Sequence, residues 1–406
     1  MSCPPCKIFP ESSPGGTMAK GSIADPFSIT LGVEEEFFLV DPETRDLLPD
    51  PDPRIFEYCN KNRGDHKVVA EFLRSQIETT TRVCSSVAEV HSALIETRRL
   101  VIDAAAQHGA AVLAASTHPF AAWHNQVVTA GRRYEQFAMT YQQAVRELLV
   151  GGMHIHAGFG DGGSRVRVMT AMRRYLPLLH ALSASSPFSS GRETGFKSYR
   201  LTLFGSMPRT GLPGPLHSWE EFENLVEDYQ RMEFIKDSSE LWWDIRPSRA
   251  FPTLELRICD ICQTVDDAMC VVALYTCLVR YLLRLDMEGR LPTEPPTELI
   301  KENCWLAQRY GVVAFLGDTE GSGRLDIDEY AEALVETLSE DARALGCEDE
   351  LRHILDLIRY GTGSDRQIDH YRLRRLEGDT EAEALRAVVD LVVEETGSGL
   401  DAPTAA

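Results

Sequence analysis

Four short stretches of this chain alternate apolar and ionisable residues with a period of two, a pattern that an extended strand converts into two chemically distinct faces. In LGVEEEFFLV, residues 31–40, Glu34 and Glu36 share one face while Glu35 points the other way with Val33, Phe37 and Leu39. RSQIETTT puts Gln76, Glu78 and Thr80 together, with Glu71 seven residues before Glu78. GGMHIHAGF sets His154 and His156 against Met153, Ile155 and Ala157. TLELRICD sets Glu255, Arg257 and Cys259 against Leu254, Leu256 and Ile258.

Standing apart, these faces would be ordinary solvated strands, since charged residues commonly blunt exposed sheet edges. If they converge, Glu34, Glu36, Glu78 and Glu255 cannot all stay ionised without compensation. Two unit charges about 4 Å apart repel by roughly 4 kcal/mol at an effective dielectric near 20. Divalent cations remove that conflict, and hard carboxylate oxygens with an occasional imidazole suit Mg²⁺ or Mn²⁺ better than Zn²⁺. The HxH pair is itself a common metal-ligand arrangement, so a metal-dependent hydrolase built on it is the rival reading.

Composition narrows the field further. The net charge of −21 over 406 residues argues against a broad basic face for nucleic acid and against anionic membranes. An anionic substrate would then have to be met by metal ions or a local cluster of arginines. The apolar run AMCVVALYTCLV, Ala268 to Val279, is too short to cross a bilayer and reads as a buried helix. No charged segment followed by an apolar one opens the chain, so a cytoplasmic location with reduced thiols is expected for its ten cysteines. The pairs Cys3/Cys6 and Cys259/Cys262 could be read as a split zinc site, a reading weakened by the Pro/Gly/Ser-rich surroundings of the first pair.

Residues 1–26 read as a disordered leader, 27–395 as a single α+β domain whose part from about 296 to 395 is helical, and 396–406 as a disordered tail. Capping-box spacing at Ser86/Glu89, Ser218/Glu221 and Thr264/Asp267 predicts helices over about 86–108, 219–236 and 264–286, with others near 131–149 and 165–183. Strands are expected at about 28–40, 75–82, 111–116, 153–159 and 252–259. The run GFGDGG, Gly158 to Gly163, imitates a dinucleotide fingerprint, but no Asp or Glu occurs from Ser164 through Arg192 to hold a ribose.

TLGVEEEFFLVD, QIETTT, THPF, HIHAGF, LSASSPF, LWWDIRPS and LELRICD occur in that order. Together they resemble the YbdK-like carboxylate–amine ligases, also called glutamate–cysteine ligase type 2, over roughly residues 28–395. The resemblance implies a glutamine-synthetase-like catalytic fold, in which a curled antiparallel sheet flanked by helices forms a funnel for ATP and Mg²⁺, with Mn²⁺ as the substitute ion. It implies ATP-dependent joining of the glutamate γ-carboxylate to the amine of cysteine or of another small amine. Glu34, Glu36, Glu71, Glu78, His156 and Glu255 are the implied metal ligands. Arg257 is placed at the transferred phosphoryl group, with Glu78 and Glu255 also catalytic. Arg200, Arg246 and His154 are expected near ATP and the anionic substrates. The expected partners are small-molecule substrates, without nucleic acid or membrane, and a homo-oligomer is compatible with the sequence. A catalytically degenerate ATP-binding member is the third reading.

Overall fold

A computed structural model describes residues 27–400 apart from Glu320 and Ser322; the leader and residues 401–406 lie outside the described residues. Seven strands build the main sheet: β1 (Thr30–Val40), β2 (Lys67–Ala70), β3 (Gln76–Thr80), β4 (Ala111–Leu113), β5 (Met153–Gly158), β6 (Ile245–Pro247) and β7 (Thr253–Leu256). Their order is β6-β7-β5-β1-β3-β2, with β4 also paired to β1, and every pairing is antiparallel. The long strand β1 is the hub. Its residues 34–38 pair with β3 along one edge, while 30–35 pair with β5 and 38–40 with β4 along the other.

Register decides which side chains meet. Residues directly opposite in an antiparallel pair project to the same face. Glu36 faces Glu78, Glu34 faces both Thr80 and His154, His156 faces Glu255, and Glu255 faces Arg246. One continuous polar face therefore runs across five strands. The opposite face, with Val33, Met153, Ile155, Leu254 and Leu256, enters the main apolar core. That core is closed by the helices α1 (Val87–Gln107) and α4 (Val265–Met287). Between them in sequence lie α2 (Gly162–Met172) and α3 (Leu176–Ser183), which also contribute to it.

Glu35 is the exception on the apolar side. It is fully buried and clamped by Arg98 of α1, whose Nε and Nη2 donate to the two carboxylate oxygens at 3.1 and 2.5 Å. The same guanidinium donates to the Cys262 and Gln263 carbonyls at 2.9 and 2.7 Å. One arginine thus ties β1, α1 and the loop after β7 together.

The three expected N-caps are present: Ser86, Ser218 and Thr264 each accept from the backbone N–H three residues on. Elsewhere the expected helices differ. The segment near 131–149 splits into Arg132–Tyr141 and Gln143–Arg146 at Gln142, where φ is +48°. The segment near 165–183 breaks at Arg173–Tyr175, before Pro177, whose ring cannot donate to the preceding turn. The strand expected over 252–259 stops at Leu256, because the N–H groups of Arg257 and Ile258 both donate to the Asp244 carbonyl, at 2.8 and 3.0 Å. Two residues opposing one make a β-bulge. The strands β2 and β6 were not legible in the sequence.

Beyond residue 296 the chain is helical apart from the short hairpin of Phe315–Gly317 and Arg324–Asp326. Its last helix, Glu381–Thr396, packs Leu385, Val388, Val389 and Val392 with Phe38, Val40 and Leu113, closing one end of the polar face. Of the residues expected in the tail, Thr396 ends the last helix, is buried and accepts from the Ala114 N–H at 3.0 Å, and Leu400 is buried too. Among the described residues, α4 is the one helix long and apolar enough to cross a membrane, and 78% of its most apolar window is buried within the protein.

Candidate active site

All ten residues singled out from the sequence belong to the polar face or its rim. Their donors fall into two groups. Single donor atoms from Glu34, His156 and Glu255 lie within 4.8 Å of one another, and so do those from Glu36, Glu71 and Glu78. Strand pairing supplies Glu34, Glu36, Glu78, His156 and Glu255. Glu71 enters from the turn between β2 and β3, where its carboxylate also accepts from the Phe72 N–H at 2.9 Å.

The two groups differ electrostatically. Around the first, charges are matched. Glu34 accepts from His154 Nδ1 at 3.1 Å and lies 3.5 Å from His156 Nε2. Burial alone would raise its carboxyl, but the hydrogen bonds from His154 and His156 outweigh it and hold Glu34 well below the usual carboxylate range. Glu255 is also held well below that range: burial acts upward, and Arg246 and Arg257 outweigh it. Arg246 donates to Glu255 through Nε and Nη2 at 3.2 and 2.6 Å, and Arg257 pairs with the other oxygen. Burial would lower His156, yet Glu255 and Glu34 raise it. His154 differs: burial and the Arg257 charge push it down to about 4.

The second group is an acid cluster with no direct ion pair among the described residues, only the more distant charges of Arg200 and Arg257 acting on Glu36. Burial, then Glu71, pushes Glu36 up to about 7. Burial, Glu34 and Glu71 raise Glu78 well above its ordinary value. A bound cation relieves the repulsion between carboxylates forced together, so this group is chemically suited to hold one. Six hard or borderline donors, five of them carboxylates, fit Mg²⁺ or Mn²⁺. Among the described residues each group has at most one imidazole, so neither gathers both histidines of the HxH pair. Cys259 and Cys262 are buried in the main core, where burial pushes Cys259 up to about 12 and Cys262 well above the usual thiol value. They join neither group, and Cys3 and Cys6 lie outside the described residues.

The arginines come from three different settings: Arg246 from β6, Arg257 from the bulge and Arg200 from the start of a short helix. The bulge after β7 turns Arg257 back over the polar face, where Nη1 reaches Glu255 and lies 3.5 Å from His154 Nδ1. Arg200 opens the short helix Arg200–Phe204 and is buried. Its Nη1 donates to the Arg257 and Ile258 carbonyls at 3.1 and 3.4 Å. It lies across Gly152, where a Cβ would come 2.5 Å from Nη2. A second buried network places it: Asp260 accepts from the Ser185 N–H and from the hydroxyls of Ser186 and Ser198 at 2.7–2.9 Å. Ser186 Oγ in turn accepts from the Arg200 N–H at 3.2 Å. Asp260, Ser186 and Asp244 were not singled out from sequence, although LSASSPF, LELRICD and LWWDIRPS contain them. Two surface clefts of about 410 and 270 Å³ beside the last helix are lined by none of these residues.

Comparison with known proteins agrees with this architecture. The fold matches a glutamate–cysteine ligase from Francisella tularensis, solved in complex with AMP, with a TM-score of 0.64 at 14% identity, covering 92% of this chain and 90% of that one. It matches equally, at 0.64 and 14%, a bifunctional glutathione synthetase from Pasteurella multocida, covering 91% of this chain and 53% of the other. These likenesses establish the fold, an α+β arrangement with an antiparallel sheet as expected from the sequence. In sequence, the chain is 41% identical over 382 residues to a protein of Rhodospirillum rubrum named "Putative glutamate--cysteine ligase 2", covering 93% of this chain and 98% of that one. It is 43% identical over 366 residues to one of the same name from Jannaschia sp., covering 90% and 96%. The chain is an enzyme, a carboxylate–amine ligase of the glutamate–cysteine ligase kind. It belongs to the Glutamate-cysteine ligase family 2, whose pattern matches residues 30–391.

Proposed function

We propose that this enzyme uses ATP to join the γ-carboxylate of glutamate to the amine of cysteine or of another amino acid or small amine, releasing ADP and phosphate. The observation that carries the reading is the pair of adjacent donor groups on one sheet face with three arginines beside them. ATP and glutamate are both anions, and an acid-lined face admits them only after its charge is inverted. Glu34, His156 and Glu255 would hold one divalent cation and Glu36, Glu71 and Glu78 another. Such ions, when bound, neutralise the phosphates and the developing charge of phosphoryl transfer.

The chain's own groups then do the following. His154 and Arg246 hold Glu34 and Glu255 in place by the hydrogen bonds described above. Arg257, on the bulge, offsets charge on the transferring phosphoryl group. A glutamate γ-carboxylate oxygen attacks the γ-phosphorus, ADP leaves, and a γ-glutamyl phosphate results. The acceptor amine attacks its acyl carbon, phosphate leaves, and the amide nitrogen gives up a proton. The deciding experiment is ADP release with Mg·ATP, glutamate and a panel of amines, followed by the mass of the product. A γ-glutamyl amide with ADP is expected. AMP with pyrophosphate would overturn the scheme, and turnover without ATP would support the hydrolase instead.

A further inference from the structure

Asp244 is the buried acid on this face with nothing to hold. It sits between Trp243 and Ile245, across the bulge from Arg257, and is 6% exposed. Asp244 lies at a bend just before β6, and the charges of Arg200 and Arg257 act on its carboxylate, which sets it beside those two arginines. Its backbone is fully used: the N–H donates to the Gly211 carbonyl at 3.0 Å, and the carbonyl accepts from Arg257 and Ile258. Its carboxylate, by contrast, has no hydrogen-bond or ion-pair partner among the described residues, although the charges of Arg200 and Arg257 reach it. Those two guanidiniums in turn each keep a buried Nε without an acceptor.

A buried carboxylate left unsatisfied costs stability, so native structures keep one mainly where something else fills it. Here burial pushes the Asp244 carboxyl up to about 7 despite Arg200 and Arg257, so the fold gains nothing from its charge. What would satisfy both halves is a zwitterion: an ammonium for the acid and a carboxylate for the unfilled arginine donors. The metal groups do not compete for it, because Asp244 belongs to neither.

We propose that Asp244 is the counter-ion for a substrate ammonium group. The inference rests on the reading of the site as one for amino-acid substrates. The ammonium is either the α-amino group of glutamate or the amine of the acceptor, and the same measurements tell them apart. In Asp244→Asn, with Mg·ATP, the KM of one of the two substrates rises roughly 10- to 100-fold, the range for losing a hydrogen bond to a charged group. A rise for glutamate assigns the donor's α-ammonium, and a rise for the acceptor assigns its amine. The KM for Mg·ATP stays within about twofold, and the melting temperature does not fall, since a buried charge has been replaced by its neutral isostere.

Both amino-acid KM values within about twofold of wild type would overturn the proposal, as would a lowered melting temperature, which makes Asp244 structural. Calorimetric binding of glutamate against glutarate, which lacks the ammonium, separates this inference from the ligase reading. If wild type releases no ADP yet prefers glutamate and Asp244→Asn does not, Asp244 stands and the ligase reading fails. If wild type turns over and the variant matches it in both assays, the ligase reading stands and Asp244 falls. If wild type neither turns over nor prefers glutamate, both fall.

Discussion

Replacing Arg98 by methionine tests what keeps Glu34 and Glu36 on the functional face. A one-residue slip of β1 would swap them with Glu35 and send both into the core. The Glu35–Arg98 pair opposes that slip, because only the observed register lets Glu35 meet the guanidinium at 0% exposure of either side chain. Arg98→Met fills a similar volume but leaves Glu35 buried without its partner and the Cys262 and Gln263 carbonyls without a donor. Breaking a buried ion pair from one side costs about 3–5 kcal/mol, and each orphaned carbonyl adds about 1 kcal/mol or more. The total, about 5–7 kcal/mol, is of the order of the whole stability of many domains, about 5–15 kcal/mol. A large fall in urea midpoint and melting temperature is therefore expected. Glu35→Met combined with Arg98→Met should regain most of the loss, since apolar replacement of a buried pair is often neutral. A single variant within about 1 kcal/mol of wild type, or a double variant no better than the single, would refute the reasoning.

Three further outcomes are expected. Glu78→Gln and Glu255→Gln each lower turnover by at least about 100-fold with the fold intact by circular dichroism, and near-normal turnover in either would remove that residue from the ion site. Mg²⁺ or Mn²⁺ raises the melting temperature strongly at pH 8 and little at pH 5. Burial and Glu71 put Glu36 at about 7, so its contribution to stability is fully present below its ordinary 4.5 and is lost as pH rises through about 7, where a cation restores it. Equal stabilisation at both pH values would contradict this. Gly152→Ala displaces the Arg200 guanidinium, whose Nη2 lies 2.5 Å from the added Cβ, and lowers kcat/KM at least about tenfold with a melting temperature near wild type; unchanged kinetics would show that Arg200 is free to move aside.

Much of this could be read from the residues in order. Period-two alternation identified β1, β3, β5 and β7 and the face each would offer, because a strand's two sides are a local property of the backbone; it failed only past Leu256, where the bulge ends the alternation and Cys259, expected beside Glu255 and Arg257, enters the core with Ile258. Side-chain caps at Ser86, Ser218 and Thr264 fixed helix starts for the same local reason. Less legible were β2 and β6, four and three residues long, whose short runs carry no periodic signal until a neighbouring strand pairs with them. The break at Gln142 was hidden too, since an unfavourable φ in a non-glycine residue is imposed by packing.

The sequence by itself determined that glutamates and histidines would project together from separate strands, and that Glu35 would part company with its two neighbours. Tertiary structure alone decided that these faces adjoin, that the acids sort into one charge-matched and one unmatched group, and that Arg257 turns back over the sheet on a bulge. It also left Asp244 with an empty hand. The physical reason is range: alternation and capping are settled within a few residues, whereas register, burial and the balance of charge depend on chain segments that meet only after folding.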